Sequence, residues 1–483
     1  MAIDKLNQFG KTKIVCTIGP SSQDVGRLAE LIRSGMDVAR LNFSHGSYED
    51  HLRSLSNIRE AGKIAGEAIT ILQDLSGPKI RTGTVRNHAV ELKKGQTFVF
   101  TVEDVEGDHT CVSTTYKSLP RDVRKGDTIL VDDGSIKMTV TGKSRTEVRC
   151  KVLNAGVLKD KKGMNLPGVK VSASSLTDKD RDDLKFGLKN NVDYVALSFV
   201  RSAEDIRQLR KLIIREGRQG IKVPIVAKIE KPEAVRNIDA IINESDVIMV
   251  ARGDLGVELP PEEVPLVQKM IVRKCNEAGK PVIIATQMLE SMIENPRPTR
   301  AEANDVANAV LDGADAVMLS AETSVGEYPV EAVHTMDRII QQAETVQKDR
   351  LGEALEGIKY ADIFDAIARA AAVLAKQLNA RAIIPITHSG STAIRISKYR
   401  PSAPILAITG RERILRRLNL VWGVRGLIMP DIDIDSDTAF EHIQNELVKR
   451  GFVRKGDYVV FTAGIPLMSK GTTNTIKVER VGL

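Results

Sequence analysis

The sequence predicts an α/β fold: a (β/α)8 TIM barrel with an inserted small β-barrel lid domain and a C-terminal α/β domain. Three patterns predict it. First, short apolar runs at residues 13–18, 38–43, 69–73, 194–199, 225–229, 247–250, 282–285 and 316–319 are rich in Val, Ile, Leu and Ala. They are too short for helices and read as strands buried on both faces of a parallel sheet. Amphipathic stretches such as 24–34, 203–216, 261–278 and 299–311 fall between them. Eight such βα units count out a barrel, with a doubly wound sheet as the alternative. Second, residues 76–191 break the rhythm with runs at 89–92, 97–102, 128–131, 136–140 and 147–152, punctuated by Lys-Gly and Asp-Gly turns. That is hairpin patterning. An insertion after the third strand lies at the functional face of a barrel, where it acts as a lid. Third, after residue 347 a helical stretch at 362–378 leads to runs at 381–387, 404–409, 426–429, 457–461 and 475–481, a separate α/β unit of ordinary size. The expected division is 1–75 and 171–347 for the barrel with a short N-terminal lead, 76–170 for the lid, and 348–483 for the C-terminal domain.

Composition narrows the function. The 483 residues are 42% hydrophobic and 28% charged, which excludes collagen-like and disordered chains. Lys+Arg 70 against Asp+Glu 63 leaves +7, a mild excess with no basic tract. Anionic small molecules are therefore the expected partners, with no nucleic acid and no membrane. Cys16, Cys111, Cys150 and Cys275 form no C-x-x-C pair, which fits a reducing compartment. The first residues lack the apolar core of a signal peptide, and no run of about 18 apolar residues occurs. A cytoplasmic protein is expected.

In a barrel the chemistry sits at the C-terminal ends of the strands. The second strand ends in Arg40, Asn42 and Ser44, which share one face by period-two alternation. The third ends in Gln73 and Asp74, and the fifth places Lys228 and Glu230 on one face. The sixth ends in Arg252-Gly253-Asp254, the seventh in Thr286, and the eighth in Ser320 and Glu322. Glu230 and Asp254 on neighbouring strands suit Mg²⁺, which takes oxygen ligands and shares its shell with substrate oxygens. Arg40 and Lys228 aimed at the same mouth suit a phosphoryl group. Gly253 and Asp254 open a helix whose exposed amides suit a carboxylate. A structural Lys228–Glu230 ion pair is the competing reading.

Residues 11–22 (KTKIVCTIGPSS), 38–46 (VARLNFSHG), 74–83 (DLSGPKIRTG), 162–168 (KGMNLPG) and 226–232 (VAKIEKP) resemble the pyruvate kinase family. So do 249–258 (MVARGDLGVE), 284–292 (IATQMLESM), 297–305 (RPTRAEAND) and 319–329 (LSAETSVGEYP). The resemblance implies transfer of the phosphoryl group of phosphoenolpyruvate to ADP, giving pyruvate and ATP in glycolysis. It implies that Arg40 and Lys228 hold the moving phosphoryl, that Glu230 and Asp254 bind Mg²⁺, with Mn²⁺ an alternative, and that Gly253 and its neighbours hold the substrate carboxylate. Thr286 then lies near the enolate carbon, with Ser320 and Glu322 as a proton relay. Asn42, His45, Arg81 and Lys162 become nucleotide contacts. A homotetramer is implied as well.

The C-terminal segment Thr387-His388-Ser389-Gly390-Ser391-Thr392 precedes a helix. Hydroxyls and amides there form either a phosphate cradle or an ordinary N-cap. The family resemblance implies that Thr387, Ser389, Gly390, Ser391 and Thr392 bind a sugar-phosphate or AMP effector, with residues 469–473 closing over it. Lys470, Arg395 and Lys398 read equally well as surface charges.

One departure from the family is informative. Potassium-requiring members hold K⁺ at positions matching Asn42, Ser44, Asp74 and Leu75, with Thr at the last and Glu at the position of Lys79. Here the pair is Leu75 and Lys79, and an ammonium is a permanent charge that replaces a monovalent cation. K⁺ independence is the expectation. Activity should persist in buffer free of K⁺ and Na⁺; a collapse that K⁺ reverses would refute it.

Overall fold

The computed structural model describes residues 10–172, 174–217, 222–347, 362–429, 436–465 and 473–482. The expected N-terminal lead, the start of the C-terminal domain and Lys470 lie outside these residues. The eight apolar runs become parallel strands: Lys13–Thr17, Val38–Asn42, Thr70–Asp74, Tyr194–Leu197, Ile225–Ile229, Val247–Ala251, Val282–Ala285 and Ala316–Leu319. They close into a barrel in chain order, the first strand pairing with both the second and the eighth. Alternation along each strand makes two cores. Val15, Leu72, Val226, Met249, Ile283 and Met318 fill the inside. Cys16, Leu41, Ile71, Ile229, Val250 and Ile284 face the surrounding helices. The closed barrel, not the doubly wound sheet, is the fold.

Local signals fix where the helices start and stop. Tyr48–Ala65 starts at a Ser47–Asp50 capping box and ends at Gly66 with φ 74°, a left-handed position that glycine adopts without a Cβ penalty. Arg300–Asp312 starts at a Thr299–Glu302 box and ends at Gly313, φ 101°.

The insertion is a half-barrel. It has a six-stranded mixed sheet and a two-stranded one pairing Gly156–Lys159 with Ala89–Leu92. Its own core contains Phe98, Phe100, Ile129, Met138, Val148 and Cys150. The lid touches the barrel through Asn165, whose Nδ2 donates to Glu258 Oε1 at 2.9 Å.

The C-terminal domain is a five-stranded sheet in which four parallel strands are flanked by the antiparallel Thr475–Arg480. It meets the barrel at the end opposite the lid. Leu420 is fully buried within the inner barrel core. Trp422 has two cations over its ring, Lys11 Nζ 5.0 Å and the Arg400 guanidinium 4.8 Å from its centre.

Gln73, the residue before Asp74, is fully buried and donates to the Asp183 carbonyl at 2.6 Å. A Cβ on Gly187 would lie 1.9 Å from its Oε1, and neither the strand nor the bonded amide can retreat. Gly187→Ala is expected to cost about 1–3 kcal/mol, read as a lowered thermal unfolding midpoint.

Candidate active site

Four charged side chains, Arg40, Asp74, Lys228 and Glu230, converge at the C-terminal mouth of the barrel, the first three on buried strands and Glu230 just past the end of the fifth. Arg40 donates from Nε to Asp74 Oδ2 at 2.8 Å and from its Nη1 to Thr17 Oγ1 at 2.9 Å. Its Nη2 lies 2.7 Å from the same Asp74 oxygen. Lys228 Nζ lies 3.3 Å from Asp74 Oδ2, 2.9 Å from Glu230 Oε1 and 2.8 Å from Ser198 Oγ. Asp74 is thus gripped by both cations, and Lys228 by both carboxylates.

Burial and pairing compete at each group. For Asp74 burial works to raise the carboxyl, but Lys228 and then Arg40 outweigh it and hold it below the usual range. For Lys228 burial works to lower the ammonium, while Asp74 and Glu230 prevail and raise it. Burial raises Glu230 above the ordinary value; Lys228 opposes that rise and Asp254 adds to it. A buried carboxylate beside a second carboxylate marks a place where added positive charge is stabilised.

The sixth strand runs directly into the short helix Arg252–Glu258, with Asp254 in its first turn. Gly253 N donates to Thr286 Oγ1 at 2.8 Å, and that hydroxyl donates to the Ala285 carbonyl at 2.6 Å. Thr286 and Gln287 both sit at positive φ, 69° and 55°, uncommon for residues with a Cβ. Arg252 fixes this turn by donating to the Thr286 carbonyl at 2.7 Å and pairing with Asp305 at 2.7 Å. Glu322 accepts from Ser320 N at 2.7 Å and Leu289 N at 3.1 Å, tying the loops after strands seven and eight together. Burial raises its carboxyl.

Among the described residues no three His, Cys, Asp or Glu side chains gather as a metal cage. Glu230 and Asp254 therefore offer two carboxylates, a set that fits Mg²⁺, which keeps water and substrate oxygens in its remaining positions. Above them a cleft of about 820 Å³ lies between lid and barrel, lined by Lys79, Asp133, Arg252, Gly253, Asp254 and Gln287 among others. At the base of the lid the backbones of Arg81 and Gly163 pair, and Lys162 meets Asp132 at 2.8 Å. Asn42 Oδ1 accepts from Ser44 N at 3.1 Å. Leu75 points its side chain into the barrel–helix core, while its carbonyl accepts from Ser198 Oγ at 2.8 Å.

Models of two pyruvate kinase domains match this chain, the barrel domain over residues 9–333 and the alpha/beta domain over 365–479. The chain is 50% identical over 473 residues to a pyruvate kinase of Geobacillus stearothermophilus, covering 97% of this chain and 80% of that one. The chain belongs to the pyruvate kinase family. A pyruvate kinase of Sporosarcina psychrophila is 47% identical over 475 residues, with 98% of this chain and 80% of that one covered. A crystal structure of a pyruvate kinase from Cryptosporidium parvum superposes with a TM-score of 0.93 at 43% identity, covering 100% of this chain and 98% of that one. The chain is accordingly a phosphotransferase of the pyruvate kinase type, and no helix of its described residues is long and apolar enough to cross a membrane.

Of the residues singled out in the sequence, Arg40, Asp74, Lys228 and Glu230 form one bonded cluster. Gly253 and Thr286 are bonded beside Asp254, which adds to the rise at Glu230. Asn42 ends strand two, and Ser44 and His45 lie on the turn after it. The 387–392 segment belongs to the C-terminal domain, apart from this mouth. There Thr387 Oγ1 accepts from Gly390 N at 2.9 Å, the Ser389 and Ser391 hydroxyls lie 3.0 Å apart, and Thr392 Oγ1 lies 2.6 Å from Thr473 Oγ1. Arg395 and Lys398 are held by Asp362 and Asp365. Sequence reasoning missed two contributors to this cluster. Ser198 holds Lys228, and Phe199, at φ 55°, donates its N–H to Glu230 Oε2 at 2.7 Å.

Partial burial, then the charges of Arg81, Lys79 and Arg40, lower the His45 pKa. The neutral imidazole is favoured in the fold, so this group's contribution to stability declines as pH falls through the unfolded histidine value of about 6.5. In an NMR titration His45 should protonate below the ordinary histidine range, and Lys79→Met should move it back up. An unmoved titration would place Lys79 away from this turn.

Proposed function

We propose that this pyruvate kinase transfers the phosphoryl group of phosphoenolpyruvate to ADP at the Arg40–Asp74–Lys228–Glu230 cluster, in glycolysis and in the cytoplasm. The observation carrying this reading is Lys228: a buried ammonium kept charged by two carboxylates at the mouth of the barrel. Fixed positive charge in a buried site stabilises the charge of a transferring phosphoryl with little reorganisation. Arg40 and Lys228 bind that group from strands two and five. Glu230 and Asp254 hold Mg²⁺, or Mn²⁺ in its place. When bound, the divalent ion neutralises phosphoryl and substrate oxygens.

The bond from phosphorus to the enol oxygen breaks as one forms to the terminal phosphate oxygen of ADP. The enolate carbon left behind takes a proton to give pyruvate. Gly253 and the adjacent amides orient the substrate carboxylate. Thr286 stands at the carbon that is protonated, with water and the Ser320–Glu322 turn completing the relay. Asn42, His45, Arg81 and Lys162 receive the nucleotide, and closure of the 76–170 lid excludes water.

Lys79 supplies the monovalent charge that other members of the family take from K⁺. Two observations support this. Lys79 lines the cleft with Asp254, and the side chain of Leu75 is turned into the core, away from any cation. The 387–392 loop takes a sugar phosphate or AMP as an allosteric effector, and the chain assembles as a homotetramer.

The test couples pyruvate formation to a dehydrogenase in the presence of phosphoenolpyruvate, ADP and Mg²⁺. Wild type should turn over, and Lys228→Met should lose about 10²–10³-fold in kcat or more. Undiminished turnover in the variant would defeat the reading.

A further inference from the structure

The floor of the barrel is made in part by the C-terminal domain. Leu420 joins Leu72, Tyr194, Val226, Met249 and Met318 in the inner core, the one contribution of that domain to it among the described residues. The contact is polar as well as apolar. Helix Glu412–Leu418 ends here, and the last carbonyls of a helix lack partners within it. Here Asn419 N and Leu420 N reach the Arg416 and Arg417 carbonyls only at 3.3 and 3.4 Å, and barrel side chains add to them: Thr70 Oγ1 donates to the Arg416 carbonyl, and Tyr194 OH donates to the Arg417 carbonyl at 2.9 Å. Asn419 Nδ2 donates to the Ala68 carbonyl, and Arg416 pairs with the buried Asp193 at 2.8 Å.

Thr70 and Tyr194 are the first residues of strands three and four. The same strands lead, at their other ends, to Asp74 and Ser198, the two groups that hold Lys228 besides Glu230. The span is four or five residues at about 3.3 Å each, and the two strands are paired directly. A displacement at the floor is therefore carried by two bonded, fully buried strands to the charge cluster. The other side of the wedge is equally tight. A Cβ on Gly390 would lie 3.2 Å from Leu418 and 3.4 Å from Ile414. Ser397, on the helix that follows the 387–392 loop, donates to the Trp422 carbonyl at 2.7 Å.

We propose that residues 416–420 position the phosphoryl site from below: through Thr70 and Tyr194 the C-terminal domain sets where Asp74 and Ser198 stand around Lys228. This deepens the functional reading above and rests on it for the role of Lys228. Anything that shifts the 387–392 loop moves the same wedge.

Leu420→Ala empties part of the floor, and Tyr194→Phe removes the bond to Arg417 while keeping the ring. Ile206→Val, in the outer core, serves as a control of similar chemistry with no route to the wedge. Hydrogen exchange is read at the Leu75 and Phe199 amides, which close the far ends of strands three and four. Both wedge variants should speed exchange there, and Leu420→Ala should lower kcat about tenfold while the KM for phosphoenolpyruvate stays within about twofold. The control should do neither. Should Leu420→Ala fail to fold, Tyr194→Phe carries the test. Variants that melt earlier yet match wild type in exchange and kcat would overturn the proposal, leaving the floor contact as packing alone. Exchange needs no turnover, so an inactive wild type would defeat the functional reading without touching this result.

Discussion

The structure depends on a balance of four charges with almost no access to water. Arg40 and Lys228 are positive, Asp74 and Glu230 negative, and their side chains are between 1% and 11% exposed. Bringing such groups out of water costs several kcal/mol each, and only close pairing with satisfied hydrogen bonds offsets it. Removing one partner typically costs about 3–5 kcal/mol, because a buried charge is left uncompensated. The site is thus maintained by mutual need: Asp74 helps keep Lys228 an ammonium, and Lys228 and Arg40 keep Asp74 a carboxylate. With two positive and two negative members, the cluster as a whole is neutral.

That balance explains why the scaffold is a closed barrel with sealed ends. Asp74, Lys228 and Glu230 sit on or just beyond strands whose neighbours are fixed on both sides by parallel ladders. Loops would not hold four charges within 3.3 Å contacts against their tendency to rehydrate. The lid covers the mouth, and the C-terminal domain closes the floor with Leu420 and its ring of hydrogen bonds. The lid and the C-terminal domain are thereby attached at opposite ends of strands held by ladders on both sides.

Much of this was legible in the sequence because periodicity carries geometry. Period-two alternation placed Lys228 and Glu230 on one face, and the rhythm of apolar runs gave eight strands and the interruption after the third. The hub role of Asp74 was less visible. Its resemblance to a cation-site position drew attention to K⁺, whereas its distance to Lys228 emerges only when strands three, four and five lie side by side. Ser198 was hidden inside the run at 194–199, where one small polar residue between Leu197 and Phe199 disturbs no pattern. The positive φ values of Phe199 and Thr286 leave no trace in residue type. Leu420 was the least legible of all, since its partners lie more than a hundred residues away and a lone leucine announces no destination.

The surroundings of Trp422 have a practical consequence. It is the only tryptophan in the chain, and its ring lies against both a lysine that leads into the first barrel strand and an arginine of the C-terminal domain. Its indole therefore looks onto the seam where two domains meet, with two cations against the ring and little water around it. Excited beyond the absorption of the tyrosines, this one indole gives in its emission colour and quenching an optical record of how the domains stand against each other, with no dye attached.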